Sequence, residues 1–147
     1  MITHIAHIGI ACHDLDATIN FYQRTYGLTV TSREVNPEQG AQEAMLKIND
    51  VDGENASYLQ LLAPISDDSP VARFLACRGE GVHHIAFGTA DLPSAAGHAR
   101  AQGVRVLYDP PRRGAMGSLI TFLHPKDCGS VLTELVQTPV GKKTLNT

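Results

Sequence analysis

Four side chains able to do chemistry recur at matching places along this sequence. "HIGIACHDLD" begins at His7 and "HIAFGTADLP" at His84, so a histidine opens nearly the same ten-residue run twice, 77 positions apart. Further along, at an offset of 74, "YLQLLAP" (Tyr58 to Pro64) falls on "LTELVQT" (Leu132 to Thr138), and Gln60 lands on Glu134. Two imidazoles, an amide oxygen and a carboxylate form a donor set for a divalent metal. Imidazole suits transition metals and oxygen suits harder ions, so the mixture admits cobalt, manganese, zinc or nickel. Four protein ligands would leave an octahedral ion two positions for water or substrate. A single histidine among apolar residues is more often a hydrogen-bonded core or surface residue, and a lone Gln or Glu in a strand is usually solvated. The symmetric recurrence is what singles out His7, Gln60, His84 and Glu134. His4, His13, His83, His98 and His124 have no repeat partner and read as structural or surface residues.

The elements that must carry these residues are duplicated too. Asp14-Leu15 falls on Asp91-Leu92 at the offset of 77, and Gly27 falls on Gly103 at 76. In the first copy "IAHIGIA" alternates as a strand. Asp14 can cap a helix whose Leu15, Ile19, Tyr22 and Tyr26 lie on one face, and Gly27 ends it. "LTVTSREV", "AQEAMLKI" and "SYLQLLAP" follow as strands. In the second copy Asp91 caps a helix carrying Leu92, Ala95, Ala96 and Ala99, followed by "VRVLYD", "LITFLH" and "VLTELVQ". The spacing therefore predicts an α+β chain of two tandem βαβββ modules, approximately 1–65 and 80–138. A connecting helix over approximately 69–79 has Ser69 as cap and Pro70 in its first turn.

Alternate residues of a strand share a face. His7 then lies with Gly9 and Ala11, and His84 with Ala86 and Gly88. The bulky residues Ile8, Ile10, Ile85 and Phe87 point the other way, toward the helices. Small neighbours leave space beside each histidine, which a cavity requires and a packed core avoids.

Composition excludes several classes of function. Twelve Lys+Arg against 15 Asp+Glu give a net charge of −3, with no basic stripe for nucleic acid and no polybasic membrane anchor. No apolar run approaches the roughly 20 residues of a spanning helix, and no signal-type N-terminus is present. The expected location is cytoplasmic. Cys12, Cys77 and Cys128 are odd in number and far apart, which argues against a disulfide framework.

The paired modules with His and Gln/Glu ligands resemble the vicinal oxygen chelate superfamily, which includes glyoxalase I, extradiol dioxygenases and antibiotic-resistance proteins. Within it the chain most resembles the methylmalonyl-CoA epimerases, through "NPEQG", "DSPVARFL", "RGEGVHHIAF", "GVRVLYDPPRRGAMG", "FLHPK" and "VLTEL". The resemblance implies one domain over 1–147, a half-open barrel around a metal site, with His7, Gln60, His84 and Glu134 as ligands and cobalt as the leading metal. It implies an isomerase acting on an acyl-CoA, removing the α-proton through a metal-stabilised enolate, and a homodimer. Glu43 matches the family's proposed catalytic base, and Glu134 becomes the candidate for the second face. Periodicity alone reads Glu43 as a surface carboxylate sharing a face with Met45 and Lys47. Many members carry histidine where this chain has Met116. The alternatives are a glyoxalase-type lyase on the same scaffold and a non-catalytic drug-binding protein.

Overall fold

The computed structural model describes residues 1–48 and 56–139. Its helices start and stop where the local chemistry requires. Helix α1 (Leu15–Tyr26) begins where the Asp14 carboxylate accepts from the Ala17 N–H at 3.0 Å. It ends at Gly27, whose φ of 69° a glycine adopts without strain. Helix α2 (Pro70–Arg78) is capped by the Ser69 hydroxyl and closed by the Gly79 N–H on the Leu75 carbonyl. Helix α3 (Leu92–Ala101) repeats the α1 device, with Asp91 accepting from the Ser94 N–H at 3.1 Å.

Eight strands form one sheet. They are β1 (Ile2–Ala11), β2 (Thr29–Asn36), β3 (Ala41–Lys47), β4 (Tyr58–Pro64), β5 (Gly81–Thr89), β6 (Arg112–Arg113), β7 (Leu119–Leu123) and β8 (Thr133–Gln137), in the order β2-β3-β4-β1-β5-β8-β7-β6. The sheet curls into a half-barrel with three helices. Helix α1 buries Leu15 and Ile19 against Cys12, Ala44, Leu46, Leu61 and Ala63, and α3 buries Leu92 and Ala95 against Leu123 and Leu135. Each fully buried leucine contributes about 1.5–3 kcal/mol. No helix is long and apolar enough to cross a membrane among the described residues.

The duplication becomes a pseudo-twofold. β1 pairs antiparallel with β5 at the centre, while β4 lies parallel to β1 and β8 parallel to β5. One expected strand departs from this symmetry. "VRVLYD" makes only an isolated bridge, Val106 to Leu123, beside hydrogen bonds from the Leu107 N–H to Phe122 and from the His124 N–H to Arg105. The reason lies at Thr121, whose hydroxyl takes the Tyr108 N–H at 3.1 Å and donates back to the Tyr108 carbonyl at 3.0 Å. A side chain therefore replaces the next rung of the ladder, and Pro110 and Pro111 follow with no N–H to offer.

Candidate metal centre

Sheet register builds the site. Across β3, β4, β1 and β5 one row runs Met45, Gln60, Gly9, His84; across β1, β5, β8 and β7 the next runs His7, Ala86, Glu134, Phe122. Residues paired across strands share a face, so all four expected ligands project from one face of the sheet. The pair His7 with Ala86 maps onto the pair His84 with Gly9 under the repeat, so each imidazole faces a small residue. Gly9 cannot be larger, because a Cβ there would meet the His84 ring. At Gly9 the expected space is taken by the His84 ring, whereas the space beside His7 opens into a cavity.

Two bulges sharpen the convergence. One inserts Ala6 into β1, between Ile5 and His7; the other inserts His83 into β5, before His84. Ala6 and His83 are themselves repeat equivalents. Bulges next to active sites bend a strand and re-aim its side chains.

His7 Nε2 lies 3.0 Å from His84 Nε2, and the Glu134 Oε2 lies 3.1 Å from His84 Nε2 and 3.6 Å from His7 Nε2. All three residues are buried, and their donor atoms lie within 4.8 Å of one another. Burial works to raise the Glu134 carboxyl, but the His7 and His84 imidazoles outweigh it and hold it at about 2. Burial pushes His84 down, against the opposing pull of Glu134. Both displacements favour an ionised carboxylate and a neutral His84 ring, the protonation states that bind a cation. Gln60, 4% exposed, leaves its Oε1 buried with no hydrogen-bond partner and lines the same chamber as His84 and Glu134. An orphaned amide oxygen beside two imidazoles and a carboxylate is what a bound divalent ion would satisfy. The residues fit the group.

Glu43 lies in this chamber rather than on the surface. It is 4% exposed, and its Oε2 has no partner. Burial, then the Glu134 and Glu34 charges, push its carboxyl up to about 7, against a smaller opposing effect from the Gln60 amide. Two carboxyls lining one chamber are therefore driven to opposite ends of the carboxylate range.

His83, read from sequence as a bystander, touches the site. Its Nδ1 lies 2.8 Å from His84 Nδ1, and burial followed by the His84 charge holds it near 4. A neutral His83 can accept a hydrogen bond from the His84 Nδ1–H and leave the His84 Nε2 lone pair facing Glu134. Strict alternation placed His83 on the opposite face, and only the bulge brings it round.

A second cavity, of about 370 Å³, opens on the other side of Glu134 and His7. Met116 lines it from the 3-10 turn Ala115–Gly117, with a left-handed φ of 55°. Its N–H donates to the Glu34 carboxylate at 3.1 Å, which ties this loop to β2.

Fold and site together define a class. The profile of the glyoxalase/bleomycin resistance protein/dioxygenase superfamily matches residues 6–122, and the chain belongs to that superfamily. Among solved structures, a variant methylmalonyl-CoA epimerase from Streptomyces coelicolor in complex with 2-nitronate-propionyl-CoA is 65% identical, with a TM-score of 0.92 over 95% of this chain and 97% of that one. A methylmalonyl-CoA epimerase in complex with methylmalonyl-CoA and NH4+ superimposes equally well, at 65% identity, a TM-score of 0.92 and coverages of 95% and 97%. The ethylmalonyl-CoA/methylmalonyl-CoA epimerase of Cereibacter sphaeroides is 33% identical over 93% of this chain and 99% of its own. Within the superfamily, the chain belongs to the methylmalonyl-CoA epimerase family, whose members are isomerases.

Proposed function

We propose that this chain epimerises methylmalonyl-CoA, with His7, Gln60, His84 and Glu134 holding a divalent metal and with Glu43 and Glu134 as the acid-base pair. The observation that carries this reading is the pair of carboxyls displaced in opposite directions around one chamber. Such pairs mark acid and base assignments. A divalent ion, when bound, supplies Lewis acidity to a substrate oxygen. Cobalt leads, with manganese, zinc and nickel compatible with the two nitrogen and two oxygen donors. A cytoplasmic homodimer, implied by the family resemblance, belongs to the same proposal.

Glu43, with its pKa near neutrality, is matched to take a weakly acidic proton and return it. The electrons of the broken C–H bond move onto the thioester oxygen, giving a planar enolate. In the resting site Glu134 is ionised and Glu43 is the carboxyl that carries a proton, so Glu134 takes the α-proton from one face and Glu43 delivers its proton to the opposite face, which inverts the centre. One proton has moved from Glu43 to Glu134, and exchange with solvent or the reverse reaction restores the pair.

The test compares three substrates after chelation and metal restoration: methylmalonyl-CoA, ethylmalonyl-CoA and the glutathione hemithioacetal of methylglyoxal. We expect metal-dependent inversion of methylmalonyl-CoA. Turnover of the hemithioacetal alone would make the chain a glyoxalase-type lyase.

Two further outcomes follow from the packing. Gly9→Ala is expected to displace the His84 ring and lower metal affinity at least tenfold, since a Cβ there would meet Cε1, Nδ1 and Nε2 of that ring. His83→Ala is expected to weaken metal binding about tenfold to a hundredfold by freeing the His84 tautomer. Competition with a fluorescent chelator measures both. Wild-type metal affinity in the His83 variant would return that residue to the role of a bystander.

A further inference from the structure

Among the described residues, three buried side-chain atoms lack a hydrogen-bond partner: Glu43 Oε2, Gln60 Oε1 and Gln39 Nε2. The first two are acceptors absorbed by the proposed base and metal site. Gln39 Nε2 is a donor, and the scheme above gives it nothing to do. A buried N–H left unpaired is costly, so its placement calls for a ligand.

Several elements hold that amide in place. Gln39 sits in the turn between β2 and β3, where its backbone N–H donates to Asn36 Oδ1 at 3.3 Å. Gly40 follows at a φ of 63°, packed so closely on the Ser69 Cβ that a side chain would not fit. From the other module, the Tyr108 hydroxyl donates to Gln39 Oε1 at 3.2 Å. Tyr108 is itself held edge-on by Phe122, at 5.7 Å between ring centroids, and covered by the Arg112 guanidinium at 3.9 Å. Gln39 lines the same chamber as Glu43, Gln60, His84 and Glu134, and with its oxygen occupied by Tyr108 the NH2 is the end left to face it. That orientation also suits the field there, because the reverse would point an oxygen at two carboxyls.

We propose that Gln39 is a specificity-determining residue, whose NH2 donates to the carboxylate on the substrate's α-carbon. This inference rests on the epimerase reading and deepens it. The chamber measures about 40 Å³, against about 370 Å³ for the cavity beyond Glu134. Only a small terminal group enters the former, while the latter can take part of the long CoA arm. Of the two groups that distinguish the α-carbon, a methyl would leave the polar lining unpaired. A carboxylate entering beside Glu43 and Glu134 has oxygens to satisfy beyond any that the proposed ion would hold, and Gln39 Nε2 is the donor without another partner. The contact would favour malonyl-type thioesters over simple acyl-CoA esters.

The experiment measures equilibrium binding of two probes to the metal-loaded protein by calorimetry. These are 2-nitronate-propionyl-CoA, which carries an anionic oxygen pair on the α-carbon, and propionyl-CoA, which carries none. Wild type should prefer the nitronate. Gln39→Met, close in shape but without a donor, should lose about tenfold to a hundredfold of that preference while binding propionyl-CoA as wild type does. Tyr108→Phe, which removes the brace and keeps the donor, should lose less. Equal losses for both probes would show a merely structural role and overturn the proposal, as would an unchanged preference in Gln39→Met. A wild type that shows no preference at all would overturn the epimerase reading, and this inference with it. A Gln39→Met protein that melts well below wild type is replaced by Gln39→Leu, judged by the same ratio.

Discussion

Replacing Glu43 by glutamine is expected to lower epimerisation of methylmalonyl-CoA by about a hundredfold to ten-thousandfold with full metal occupancy, the usual worth of a positioned base. The amide is nearly isosteric, and Glu43 is not among the converging ligands. In heavy water the variant should still exchange the α-proton of the stereoisomer that presents it to Glu134, with retention, while the other stereoisomer stays inert. Equal exchange of both would refute the assignment of one carboxyl to each face. The wild-type inversion rate should fall as pH climbs and reach half its plateau near 7, because inversion needs one proton on the pair, and burial and the neighbouring carboxylates hold Glu43, the carboxyl that carries it, at about that value. The same displacement has a cost in stability. A carboxyl raised from 4.5 to about 7 stabilises the fold fully below its unfolded value, and that contribution disappears as pH climbs through 7. In the chelated protein, Glu43→Gln should therefore melt higher than wild type at pH 8, by on the order of 1–3 kcal/mol, with the gap closing by pH 4.

His84→Ala should strip the metal and bring turnover to the uncatalysed background, and His7→Ala should do the same. Each removes one of the nitrogens that lie 3.0 Å apart beside Glu134. His84 is the more severe loss, because it stands at the centre of the site, in contact with His7, His83, Glu134 and Phe122. Elemental analysis after gel filtration reads the outcome, and a full metal equivalent in His84→Ala would remove the ligand assignment. Circular dichroism should remain native, since the caps and the two helix-sheet cores lie on other residues.

How much of this was legible in the sequence depends on which residues are duplicated. His7 with His84, and Gln60 with Glu134, stand at repeat positions, and the pseudo-twofold brings such positions to one face. The helix caps Asp14, Ser69 and Asp91 were equally readable, because capping is local chemistry. Glu43 was not. Alternation along "AQEAMLKI" groups it with Lys47, and nothing local reveals that this part of β3 faces the chamber. His83 escaped because a bulge breaks the period of two that assigned it to the opposite face. Gln39 escaped because a turn residue acquires its meaning from Tyr108, 69 positions away. "VRVLYD" has the composition of a strand, and only the tertiary contact with Thr121 removes the rung that would make it one.

The most direct measurement incubates the metal-loaded protein in heavy water with one purified stereoisomer of methylmalonyl-CoA. It follows deuterium in the two stereoisomers separately over the first tenth of the reaction. Two carboxyls on opposite faces predict that every inverted product molecule carries one solvent deuteron at the α-carbon, while the remaining starting isomer stays almost unlabelled. Inverted product that keeps its original proton, or a protein that inverts nothing, would contradict the account.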